Sequence, residues 1–394
     1  MTIGLSCRVA VCCSAAWMAT ALAFAPSPAA AAHTGADVST APAEAEPLAP
    51  SPSASKPTGL YRSGTHVRLG DGAPKMPAKL SARSWLVADA GTGEVLASRN
   101  AHRKLPPAST LKALFAVTLL PTLPAAIQQT VTERELKGVG DGSSRVGVEA
   151  GRTYRASDLW RGVFLNSGND AVRVLAALNG GWRATAAQMQ TKARALGARD
   201  TRVVSPDGYD TPGQVSSAYD LAVFGRAGLR NADFARYCAT VTARFPVKGR
   251  SYDIQNTNRL LTGADGVEPY RGLIGVKNGY TSKAGNTLIA AARRGGRTLV
   301  VTVMNPRSGG RFAVYEEARS LLDWGFGAAG RVEPVGSLVP SRSVPQAGPA
   351  PVPAAMVVAD GSDRWAAAGA ISGAACLGAG AVAVVLRTRW FTRV

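Results

Sequence analysis

The sequence predicts an α+β domain: an antiparallel sheet with flanking helices and an inserted helical lobe. Three observations carry this. Two short strand-like runs lie near residue 90, a mostly helical stretch fills the middle, and three β-rich runs return before the end. Strands at both ends of a segment with helices between them fit one sheet completed by the chain's return.

The elements follow in order. Residues 84–90 (SWLVADA) and 94–98 flank the turn Gly91-Thr92-Gly93 and read as a β-hairpin. Pro106-Pro107 open an apolar helix over 108–120, and Pro121 closes it. From Ser157 to about Gly228 the chain is mostly helical, broken at Asn179-Gly180-Gly181 and at Gly197. Residues 273–277, 287–293 and 298–304 are rich in β-formers, the last two joined by Gly295-Gly296. An amphipathic helix over 311–326 closes the domain.

Composition shifts divide the chain further. Residues 1–32 have a short n-region with Arg8, an apolar run and small residues at 29–32, the pattern of a secretory signal peptide. Residues 33–74 are an Ala/Pro/Ser-rich linker, 75–332 the folded domain, and 333–364 a Pro-rich stalk. The uncharged run 365–386 is long enough, at ~1.5 Å per residue, to cross a ~30 Å hydrocarbon layer. Trp365 and Trp390 flank it, and Arg387, Arg389 and Arg393 mark 387–394 as a cytoplasmic basic tail. The expectation is a single-pass cell-membrane protein with its folded domain extracytoplasmic.

Composition also excludes functions. The three His (His33, His66, His102) are scattered, so no metal site is expected. Of five Cys only Cys238 belongs to the domain, which rules out a disulfide scaffold. The 45 Lys+Arg against 26 Asp+Glu give +19, but the basic residues are dispersed without an aromatic stripe, so no nucleic-acid partner is expected. Removing Arg8, Arg387, Arg389 and Arg393 with the leader and tail leaves about +15, which favours an anionic cell wall.

A hydrolase without a catalytic His needs another base. Ser109-Thr110-Leu111-Lys112 puts a hydroxyl and an amine on one helical face, and apolar neighbours such as Leu111, Leu114 and Phe115 would desolvate the amine. The spacing alone is common, and a capping Ser with a snorkelling Lys explains it equally. Asn166-Ser167-Gly168-Asn169 then presents a hydroxyl and an amide at a helix break, where an ordinary N-cap would look the same. Gly275-Val276-Lys277-Asn278-Gly279-Tyr280-Thr281 places a Lys at a strand end, with a glycine where backbone can approach a ligand.

In this order the three elements match the S-x-x-K, S-D-N and K-T-G set of penicillin-binding proteins and class A β-lactamases. From about Ala82 to Gly327 the chain resembles the low-molecular-mass penicillin-binding proteins of the serine D-alanyl-D-alanine carboxypeptidase type, peptidase family S11. Asp89-Ala90-Gly91-Thr92-Gly93-Glu94, Pro106-Pro107-Ala108-Ser109 and Asn256-Thr257-Asn258-Arg259-Leu260-Leu261 add to it. The resemblance implies the serine transpeptidase-like (penicillin-binding-protein/β-lactamase-like) fold and an acyl-enzyme on Ser109. Lys112 would be the general base, Ser167 a proton relay, and Asn169 a holder of the substrate amide. Lys277, Asn278, Gly279 and Thr281 would bind substrate, and the backbone N–H groups of Ser109 and Tyr280 would form the oxyanion hole. It also implies peptidoglycan stem peptides as substrate, β-lactams as inhibitors, membrane attachment through the C-terminal helix, and no cofactor.

Two departures stand out. Asn278 occupies the place where the family usually has Thr, and Thr257 stands where some members carry an Arg for the substrate carboxylate, with Arg259 two residues on. A D,D-endopeptidase acting on cross-links shares all three motifs, and a silent wall-binding homologue would differ only in activity. A β-lactamase is the weaker reading, because nothing obvious in this sequence supplies an additional carboxylate for deacylation.

Overall fold

The computed structural model describes residues 59–340 except Lys248. The expected leader, membrane span and basic tail, with most of both linkers, lie outside the described residues. Among those described, no helix is long and apolar enough to cross a membrane.

A 3-10 turn (Gly59–Tyr61) precedes strand β1 (Thr65–Leu69) and the hairpin β2 (Ser84–Asp89)–β3 (Glu94–Arg99). A second 3-10 turn, Ala108–Leu111, runs into helix α1 (Lys112–Leu119). Short elements β4 (Gln128–Thr130), α2 (Glu133–Leu136) and β5 (Thr153–Arg155) lead to the helical lobe. There α3 (Ala156–Leu165), α4 (Asn169–Leu178) and α5 (Trp182–Ala195) follow closely, and α6 (Ala218–Leu229) and α7 (Ala232–Ala239) come after a long connection. Then come the hairpin β6 (Thr242–Val247)–β7 (Arg250–Gln255) and the single turn α8 (Arg259–Thr262). The chain returns through β8 (Leu273–Thr281), β9 (Gly285–Arg294) and β10 (Arg297–Met304), and ends in α9 (Ala313–Ala328), β11 (Val332–Glu333) and β12 (Gly336–Ser337).

The main sheet is antiparallel in the order β11-β1-β3-β2-β10-β9-β8, with β12 also on β3. Every residue of β2 is buried because both faces are covered. Side chains alternate across a strand, so Leu86 and Ala88 join the core shared with α1 and α6, while Trp85 and Val87 join the one under α9. This is why β2, β9 and β10 read as nearly unbroken apolar runs.

Four expectations change. The folded unit is wider than 75–332: β1 pairs with β3 (Thr65↔Arg99) and β11 (Arg68↔Glu333), and β12 pairs Gly336 with Val95. These are half-exposed ribbon strands with polar residues on them, so no apolar run marked them. The helix over 108–120 begins as a 3-10 turn, and the strand with Lys277 continues to Thr281. Residues 198–217 carry no helix, because side chains hold that stretch extended: Gln214 Oε1 accepts from the Val204 and Ser205 N–H groups, and Asp220 Oδ2 from the Thr201 hydroxyl at 2.6 Å. The β6–β7 hairpin, whose strands are largely exposed, carries no strong periodicity either.

Candidate active site

β8 is the edge strand of the main sheet, and the 3-10 turn carrying Ser109 lies against it. Residues i and i+3 eclipse in a 3-10 turn, which brings Ser109 and Lys112 together. Lys112 Nζ donates to Ser109 Oγ at 2.8 Å and to the Asp207 carbonyl at 2.8 Å. Burial lowers the Lys112 ammonium to about 8, against the opposing charges of Asp207 and Asp170. An amine of that strength is neutral in part near neutral pH, and its lone pair can then take a proton.

Close backbone approach builds this corner. A Cβ on Gly279 would stand 2.6 Å from the Ser109 nitrogen, and one on Gly208 would stand 2.1 Å from the Ala108 carbonyl oxygen. Only glycine permits either approach. Ala108 itself sits at φ 50°, a left-handed conformation that favours glycine, held by Gly208 on one side and Gly279 on the other. Thr287 Oγ1 donates to the Pro107 carbonyl at 2.9 Å, tying the approach to β9.

The second element lies between α3 and α4. Ser167 is also left-handed, at φ 59°, and is 6% exposed. Ser167 Oγ and Asn169 Oδ1 are buried without a hydrogen-bond partner in the protein. Ser109, Asn169, Tyr280 and Thr281 line one cleft of ≈ 240 Å³ together with Ser144, Tyr209 and Asp210. Lys277 is buried, and burial with Lys112 beside it holds its ammonium well below the ordinary lysine range. Its Nζ donates to the Asn278 carbonyl at 2.8 Å.

The remaining residues fall differently. Asn278 exchanges hydrogen bonds with Thr257, accepting from its hydroxyl at 3.0 Å and donating to its carbonyl at 3.3 Å. Thr281 Oγ1 donates to Asp210 Oδ1 at 2.8 Å. The Arg259 guanidinium is held by Asp265 at 2.6 Å and by the Tyr315 hydroxyl at 3.4 Å, and lies over the Phe312 ring. Arg259 is not among the residues lining the cleft.

Two carboxylates that sequence reasoning passed over fasten the site. Asp170 accepts backbone N–H groups from Val146, Gly147, Val148 and Ala171 at 2.8–3.0 Å, which pins the 144–148 loop beside Asn169. Asp207 accepts from the Ser205 hydroxyl and the Tyr209 N–H, and so holds the carbonyl that faces Lys112. Pro206-Asp207-Gly208 is a turn signature by which the second could have been found. Asp170 looks like any acid in a first helical turn. Among the described residues no cluster could hold a metal, and Cys238 is a free, buried thiol pushed up to about 12 by burial.

Residues 72–308 match the D-alanyl-D-alanine carboxypeptidase family, peptidase S11. The chain belongs to this family. Within it, DacB2 of Mycobacterium tuberculosis is 40% identical over 252 residues, covering 62% of this chain and 82% of that protein. DacD of Escherichia coli is 34% identical over 63% of this chain and 64% of its own length. A crystal structure of a D-alanyl-D-alanine carboxypeptidase from M. tuberculosis superposes with a TM-score of 0.62 at 37% identity, covering 68% of this chain and 99% of that one. The Streptomyces K15 DD-transpeptidase gives a TM-score of 0.59 at 27% identity, covering 64% of this chain and 99% of that one. Membership agrees with the expected serine transpeptidase-like fold.

Proposed function

We propose that this protein is a serine D-alanyl-D-alanine carboxypeptidase that removes the terminal D-alanine from peptidoglycan stem peptides and is acylated by penicillins. The observation that carries the reading is the 2.8 Å contact between Ser109 Oγ and a desolvated Lys112. Ser109 Oγ attacks the carbonyl carbon between the two D-alanines while its proton passes to Lys112 Nζ. The oxyanion faces the N–H groups of Ser109 and Tyr280. Collapse breaks the C–N bond, the leaving amine takes its proton through Ser167, and water then hydrolyses the ester on Ser109. Asn169 holds the substrate amide. A terminal carboxylate beside Lys277 would favour the ammonium form that burial and the neighbouring Lys112 disfavour.

The site uses side chains and backbone alone, and no cofactor enters these steps. The leader-like segment 1–32 and the apolar run 365–386 support a domain held on the outer membrane face. Fluorescent penicillin should label the full chain, and Ser109→Ala should abolish both the label and D-alanine release from a diacyl-D-Ala-D-Ala peptide. Undiminished labelling of Ser109→Ala would show that the nucleophile lies elsewhere. Release of peptide from a cross-linked dimer in preference to D-alanine would favour the endopeptidase.

A further inference from the structure

Away from the catalytic corner, the sheet ends in a cleft of ≈ 660 Å³ between the β2–β3 turn, the β9–β10 turn and α6. It is lined by Arg226, Arg230, Arg293 and Arg297, with Asp89 as its one carboxylate. Ile274 lines it on β8, five residues before Gly279, which puts it about 17 Å from the Ser109 turn along the strand.

Three of the four guanidinium groups are held in place. Arg226 donates to the Ala90 and Gly91 carbonyls at 2.9 and 3.0 Å. Arg293 donates to the Thr298 hydroxyl at 3.2 Å, and Arg297 pairs with Asp89 at 3.2 Å. Among the described residues the Arg230 guanidinium has no hydrogen-bond or ion-pair partner. Burial and the neighbouring Arg230 charge both hold Arg226 below the usual arginine range. Arginines in the last turn of a helix complement its dipole, which accounts for Arg226 and Arg230 but not for Arg293 and Arg297 across the cleft. Like charges kept together with one acid among them favour an anion, and groups already fixed lose little entropy on binding it. The Gly295-Gly296 turn places no side chain at the mouth.

We propose that this cleft is a second binding site, which takes the phosphate groups of a polyanionic polymer. Planar guanidinium forks match phosphate oxygens bidentately. A polymer fits better than a lipid surface, because none of the exposed large hydrophobic residues lines the cleft. The site is separate from the catalytic corner and does not depend on which residue is the nucleophile.

Calorimetric titration of the full chain in detergent with sodium tripolyphosphate tests this, with poly-glutamate and phosphatidylglycerol-containing vesicles as further arms. Tripolyphosphate should bind, and Arg230→Gln/Arg293→Gln should weaken it about tenfold or more, while the charge-matched pair Arg183→Gln/Arg307→Gln stays within about twofold. Arg230→Glu alone, which removes no internal contact, should weaken binding in the same direction. D-alanine release should be unchanged in each variant. Equal loss in both pairs, equal affinity for poly-glutamate, or binding to vesicles alone would overturn the proposal.

Discussion

At the Lys277–Tyr280 end of the sheet two lysines are buried, Lys112 at 1% exposure and Lys277 at 2%, while at the β9–β10 turn Arg293 and Arg297 stand in solvent. Both ends gather positive charge, yet their chemistry differs. Burial lowers an ammonium far enough for it to shed a proton, whereas a guanidinium stays charged at every working pH. The buried end can therefore do acid–base work, and the exposed end can only attract. The buried end is also held by strained or tightly fitted backbone, with Ala108 and Ser167 both left-handed. The exposed end is an ordinary glycine turn.

Putting the exposed end's cation into the buried end is the sharpest way to break this comparison. Lys112→Arg should cut acylation by penicillin about 10³-fold, because a guanidinium cannot accept the Ser109 proton. In the unaltered protein the acylation rate should rise with pH through about 8, since Lys112 is charged below that value and neutral above it. A flat profile between pH 6.5 and 9 would remove Lys112 as the base.

Backbone fit at the buried end comes next. Gly279→Ala puts a Cβ against the Ser109 nitrogen, and the displaced nucleophile should cost about 10²-fold in kcat/KM on a D-Ala-D-Ala peptide. Asp170→Asn turns an acceptor of four N–H groups partly into a donor facing them. Denaturant unfolding should show a loss of about 2–3 kcal/mol. The smallest effect belongs to Asn278→Thr. Thr puts a hydroxyl, which can both donate and accept, where the amide faces Thr257, so KM should change only about fivefold or less.

Much of the site was legible because its chemistry is local. Ser109 and Lys112 are one turn apart, Ser167 and Asn169 share a helix break, and Lys277 and Gly279 share a strand, so each group shows in a few consecutive residues. Asp170 and Asp207 were missed because their partners, the 144–148 loop and Lys112, come from distant parts of the chain. The sequence leaves open whether Arg259 serves the substrate carboxylate, for a related reason. Two residues from Thr257 in sequence, its guanidinium is taken by Asp265 and Tyr315, which only folding brings near.

The sequence by itself determined the residue types of the proposed catalytic set, the sheet strands whose apolar runs are buried on both faces, and the poverty in His that makes a lysine the proposed base. Tertiary structure decided that Lys112 is buried, that Gly208 and Gly279 clamp the turn carrying Ser109, and that β1, β11 and β12 extend the sheet. The reason is physical: a residue's type is written in the chain, but its desolvation, its neighbours' charges and its distance from another backbone are set by contacts between segments far apart in sequence.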